Sequence, residues 1–158
     1  MMNKVTFNNL INLKCPEGFV ELSDRENQRY FSSDLLRLSF QNKDTHVLLL
    51  LSKTKNSFIN WITNAASVAH GSLANMANNL KDYQFIEEYE STVFTKQAIT
   101  ECFSYIANDQ DIKQYGELTI FKVKNTFYVI YCLCRLEDKE EHRTLFQQFR
   151  DSFSPISA

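Results

Sequence analysis

Residues 117–136 read ELTIFKVKNTFYVIYCLCRL, two apolar runs joined by Asn125-Thr126. Asn in a short polar break between alternating runs is turn chemistry, so the stretch predicts strands over 117–124 and 127–136 joined by a tight turn. Successive side chains of a strand point to opposite faces. Tyr128, Ile130, Cys132 and Cys134 therefore share one face, and Phe127, Val129, Tyr131 and Leu133 share the other. Both faces are apolar. Such a strand needs cover above and below, which puts it inside a sheet with a layer on each side.

The same signature recurs upstream. Residues 46–52 contain Val47-Leu48-Leu49-Leu50-Leu51, again apolar on both faces and again a central strand. Before it, residues 35–41 alternate, with Leu36, Leu38 and Phe40 on one face and Arg37, Ser39 and Gln41 on the other. The polar turn Asn42-Lys43-Asp44-Thr45 makes the two an antiparallel hairpin. Residues 85–92 read as a polar strand with Glu87, Glu88 and Glu90, and residues 97–107 as its neighbour, followed by a turn over 108–111. At the N-terminus Val5, Phe7, Ile11 and Leu13 predict an opening strand or hairpin over 3–13, ended by the turn Cys15-Pro16-Glu17-Gly18. Gly116 is assigned to a turn as well.

Helices fall between these strands. Ser23 and Glu26 have capping-box spacing, predicting a short helix to about Phe31. Phe58, Trp61, Ile62, Ala65, Ala69, Leu73, Met76 and Leu80 recur at steps of three and four, predicting the longest helix from 56 or 57 to 81. Gly71 inside it costs about 1 kcal/mol relative to Ala and marks a place for a kink. A final helix over 138–153 carries Leu145, Phe146, Phe149 and Phe153 on one stripe. Its first turn holds Asp138, Glu140 and Glu141, which suit the positive end of the helix dipole. The order is strand, helix, two strands, long helix, four strands, helix. It predicts an α+β domain built on a mostly antiparallel sheet of six or seven strands, with one long central helix and a C-terminal helix.

Three segments carry a family resemblance: LINLKCPEGFVELSDRENQRYF at 10–31, LRLSFQNKDTHVLLLLSKT at 36–54, and GELTIFKVKNTFYVIYCLCRLEDKEEHRTLFQQFRDSF at 116–153. Their layout over nearly the whole chain, with Pro16, Gly18, Phe19 and Phe153 as fixed points, resembles the DcrB/PsbP-like superfamily. The resemblance implies an α/β/α sandwich as a single PsbP-like domain over 1–158. It also implies an accessory or binding role rather than an enzymatic one. Photosystem assembly subunits, a Ran-binding import factor, lipoproteins and effector chaperones share that layout.

Composition bounds the chemistry. The chain has 158 residues and a formal net charge of −2, which suits one domain and lacks the basic footprint of a nucleic-acid binder. Three Gly leave nothing for a phosphate-cradling loop. Asn8, Asn9, Asn12 and Lys14 interrupt any apolar leader, and Lys14 before Cys15 does not fit a lipoprotein site, so the expectation is a cytoplasmic protein that inserts into no membrane. The four cysteines are then expected as reduced thiols.

Candidate sites are few. Cys102, Cys132 and Cys134 share strand-like runs, but small buried hydrophobes account for them better than a soft-metal site, which needs a fourth ligand. His70 reads as a solvated helix-face residue, with no nucleophile oriented beside it. Glu88, Glu90 and Glu101 have spacing suited to a cation or a basic peptide, or simply to a polar edge that discourages edge-to-edge pairing. No catalytic residue, metal ligand or cofactor is assigned. The residues chosen for partner binding are Glu101, Phe103 and Tyr105, which alternate onto one face of a single strand. The expected function is a non-catalytic protein-binding domain, monomer or homodimer, serving as chaperone or adaptor for a secreted or membrane-destined partner. The alternatives are a small-molecule or lipid-binding domain, or a toxin-neutralising immunity protein. An enclosed apolar pocket with converging polar groups would favour a small ligand, and a shallow open groove a protein partner.

Overall fold

The computed structural model describes residues 3–27, 37–54, 62–107 and 111–156. Strands β1 (Asn3–Phe7) and β2 (Ile11–Cys15) form the opening hairpin, with Asn8 and Asn9 both at positive φ in its turn. The turn after β2 closes with the Phe19 amide donating to the Pro16 carbonyl, and Gly18 takes the left-handed φ of +84° that this turn needs. After β3 (Val20–Glu21), Ser23 and Glu26 bond reciprocally at the start of the one-turn helix α1 (Asp24–Asn27), as capping-box spacing predicts. The expected extension of this helix to Phe31 lies outside the described residues.

Among the described residues the main sheet has seven strands, every neighbouring pair antiparallel. It adds β4 (Arg37–Gln41), β5 (Leu48–Lys53), β6 (Lys81–Val93), β7 (Lys96–Ile106), β8 (Lys113–Val123) and β9 (Thr126–Arg135) to β3. The spatial order is β3-β4-β5-β9-β8-β7-β6, so β9 is the middle strand and β5 lies beside it. The two runs with apolar side chains on both faces thus occupy interior positions, as their patterning requires.

Helices α2 (Ala65–Asn79) and α3 (Lys139–Asp151) cover opposite faces. On the α3 face, Tyr128, Ile130, Cys132 and Cys134 of β9 pack with Phe146, Phe149 and Phe153. Phe149 and Phe153 meet edge to face, with ring centroids 5.2 Å apart. Strand β10 (Ser154–Pro155) then pairs with β2, completing a three-stranded sheet whose Phe7, Ile11 and Leu13 join the same core. On the α2 face, Phe127, Val129, Tyr131 and Leu133 of β9 pack with Phe103, Leu118, Ile120 and Ala69.

Helix α2 departs from the periodicity. Residues 55–61 lie outside the described residues, and the helix is capped at Asn64, whose side chain accepts from the Ser67 amide at 2.8 Å. Ile62 is 82% exposed in the preceding turn. Apolar spacing carried on past the start because it does not register an Asn cap. The helix stops at Asn79, so Lys81 already belongs to β6. It runs unbroken through Gly71. Gly116 is the other correction. It lies inside β8 opposite Phe103, not in a turn. A Cβ there would come within 2.5 Å of the Phe103 ring and 2.9 Å of Leu133, so only glycine leaves the ring its place.

Candidate functional site

Strand β7 crosses beneath α2, and its alternation turns Glu101, Phe103 and Tyr105 toward that helix. Phe103 is buried between Tyr83 and Tyr105, with centroid distances of 5.8 and 6.0 Å. Phe103 and Tyr105 line an open groove of about 300 Å³ together with Met76 of α2, Leu80 just past the end of that helix, Leu48 and Leu50 of β5, and Tyr131 and Leu133 of β9. The groove is thus bordered by the last turns of α2 and floored by three strands. Tyr105 and Tyr131 supply its polar tips, and burial raises both phenols. The two β7 aromatics come together here as expected, whereas Glu101 has no exposed surface.

Glu101 instead meets Glu88 and His70. Edge strand β6 is irregular between Phe85 and Glu87. The extra residue switches the faces of the strand: Phe85 pairs with Phe103, but Glu87 pairs with Cys102 and Glu88 with Glu101. Glu88 therefore stands on the α2 side, where His70 Nε2 approaches its Oε1 at 2.7 Å and Glu101 Oε1 at 3.7 Å. Burial, with the facing Glu88 adding to it, pushes the Glu101 carboxyl up to about 8. Glu88 is held below the usual carboxylate range, chiefly by the Glu101 carboxyl and then by His70. Neither buried oxygen of Glu101 has a hydrogen-bond partner, and neither has the buried Tyr83 hydroxyl, which the Glu101 charge helps to raise. Reading His70 as solvated captured its exposure. It missed the carboxylates, because a bulge cannot be seen in the spacing of Glu87, Glu88 and Glu90.

A second polar cluster lies under α3. Glu117 and Arg150 are almost fully buried and joined at 2.6 Å. Tyr115 donates to the other Glu117 oxygen at 2.6 Å, Arg143 approaches that oxygen at 3.4 Å, and Arg150 also donates to Tyr89. Arg143 reaches Glu87, which the bulge has turned to this side. Every charge here is answered. Sequence reasoning missed this cluster, since Arg150 sits between the two apolar helix positions Phe149 and Phe153 without announcing that it is buried. Nearby, Cys102, Cys132 and Cys134 are free and buried, and burial pushes their thiols up to about 11, 12 and 12. They are packing residues in thiol form.

No protein-family model and no curated protein matches this sequence. Solved structures do match. PsbP of the cyanobacterium Synechocystis sp. PCC 6803 aligns with a TM-score of 0.71 at 8% identity, over 98% of this chain and 92% of that one. PA94 of Pseudomonas aeruginosa, a protein of unknown function, aligns at 0.65 and 10% identity over 99% of both chains. The Ran-binding protein Mog1p of Saccharomyces cerevisiae aligns at 0.61 and 14% identity, over 97% of this chain and 94% of that one. The chain therefore shares the fold of these structures, the PsbP-like fold that the resemblance implied. Identities this low carry the fold and nothing finer.

Proposed function

We propose that this chain is a non-catalytic binding domain whose α2–sheet groove takes an apolar segment of a protein partner. The observation that carries this reading is the groove itself. It is open, lined largely by apolar side chains, and sits at the small end of the roughly 300–1,000 Å³ range of pockets that enclose small ligands. A space of that size suits one or two side chains presented by a partner better than a whole lipid. Tyr105 is the contact residue on β7, with the buried Phe103 ring beside it as part of the groove floor, and Met76 is the contact on α2. The Ran-binding neighbour supports a protein partner for this fold by analogy alone. Four buried free thiols accord with a cytosolic setting, and among the described residues no helix is long and apolar enough to cross a membrane. A secreted or membrane-destined protein, with its apolar segments still exposed, is the client class that fits the groove.

The test is capture from a lysate of the source cells, with a photo-crosslinking residue in place of Tyr105. The proposal expects one protein recovered in stoichiometric amount and crosslinked through position 105. Met76→Arg should abolish recovery, while Ala74→Arg, at an exposed position on the same helix, should leave it intact. Equal capture by both variants, or an apolar small molecule co-purifying in place of a protein, overturns the proposal.

A further inference from the structure

The molecule buries two glutamates in its sheet, and it treats them oppositely. Glu117 has both oxygens bonded and an arginine against it. Glu101, with no exposed surface, has both oxygens unpartnered, and His70 is the one basic group paired with it among the described residues. A buried carboxylate without partners is costly, so something the protein chain does not supply is expected to satisfy it. The surrounding groups indicate what that is. Glu88 faces Glu101 directly across the β6–β7 pair, so a second negative group is aimed at the same point rather than a donor. The imidazole of His70 hangs over both, and one ligand atom from each of the three residues lies within 4.8 Å of the others.

We propose that His70, Glu88 and Glu101 bind a divalent transition-metal ion of the zinc class between α2 and the sheet. One imidazole and two carboxylates are a donor set that suits such ions, softer than a calcium site and harder than a thiolate one. The spacing also fits. Two donors bound to one ion at about 2.0 Å in tetrahedral geometry lie about 3.3 Å apart, and the His70–Glu88 and His70–Glu101 distances of 2.7 and 3.7 Å bracket that value. Three protein ligands leave the fourth position for water, on the exposed side where His70 and Glu88 stand. The ion ties α2 to the edge of the sheet through one helix ligand and two strand ligands.

The experiment uses the full chain, stripped with chelator and titrated with Zn²⁺ by calorimetry and with Co²⁺ by visible absorption. The expected result is one ion per chain, a Co²⁺ spectrum of nitrogen and oxygen ligation, and a higher thermal midpoint on metal addition. Glu101→Gln and His70→Ala should each weaken binding at least about tenfold. His70→Ala alters an exposed side chain, so it remains informative if the buried Glu101→Gln variant fails to fold. No saturable binding means that a proton alone neutralises Glu101, and that overturns the proposal. Binding unchanged in the His70→Ala variant, or a thiolate charge-transfer band from the cysteines, also overturns it.

Discussion

Glu101 and Glu117 show how much neighbours decide at the scale of one side chain. Both are buried glutamates on adjacent strands, yet one faces Arg150 and the other faces a second carboxylate. The consequence for Glu101 can be measured in metal-free protein. Its folded carboxyl titrates at about 8 against an ordinary 4.5, so between those values the folded chain holds a proton that the unfolded chain has released. Stability is therefore highest below about pH 4.5 for this group, falls as pH rises toward 8, and levels off beyond. Urea titrations with chelator present should show wild type losing stability relative to Glu101→Gln between pH 5 and 9, by on the order of a few kcal/mol. A parallel pH dependence in the two proteins would mean that Glu101 is ionised throughout. The sequence placed Glu101 on the right strand face but not its burial, since a lone glutamate gives no sign of whether a helix will lie over it.

At the scale of elements, the strands were the legible part. Alternation in 127–136 assigned each side chain of β9 to the correct core, because a strand covered on both sides has no other way to bury two apolar faces. What escaped was set by single residues that break a pattern: Asn64, which starts α2 late, the bulge of β6, and Gly116 inside β8. The last of these shapes the groove. Gly116 makes room for the Phe103 ring and lies against Leu133, and both of those residues line it. Phe103 cannot swing aside freely, held as it is between Tyr83 and Tyr105. Gly116→Ala should therefore destabilise the protein by about 1–3 kcal/mol by overpacking. Equilibrium unfolding measures the loss, and an unchanged midpoint would show that the ring relocates without cost.

At the scale of the whole molecule, the double-faced strands call for cover on both sides of the sheet, the family resemblance implies that helices supply it, and the apolar stripe over 138–153 gives the C-terminal position of one helix. The small second sheet was not legible, because β10 is two residues long and contains Pro155, which gives no strand signal. The layers should behave as one cooperative unit. Cys15 lies on β2, Cys102 on β7, and Cys132 and Cys134 on β9, so together they sample both sheets. All four are buried. A thiol-specific chromogenic reagent should find almost none reactive in the native protein and all four after denaturation in guanidinium. A native-state reaction confined to Cys15 would instead show the three-stranded sheet opening independently of the main one.

The pairing of Asn12 with Ser154 has a consequence in time. Phe7, Ile11 and Leu13 join a core that α3 and Phe153 complete, so a segment synthesised earlier finds its packing surface in one synthesised more than a hundred residues later. The junction of β5 with β9 likewise joins Leu48 to Leu133 across most of the chain. Contacts of such sequence separation must meet the entropy of loop closure before they return any stability. Synthesis therefore passes through a stage in which the N-terminal hairpin is made and its apolar face is still waiting for its cover.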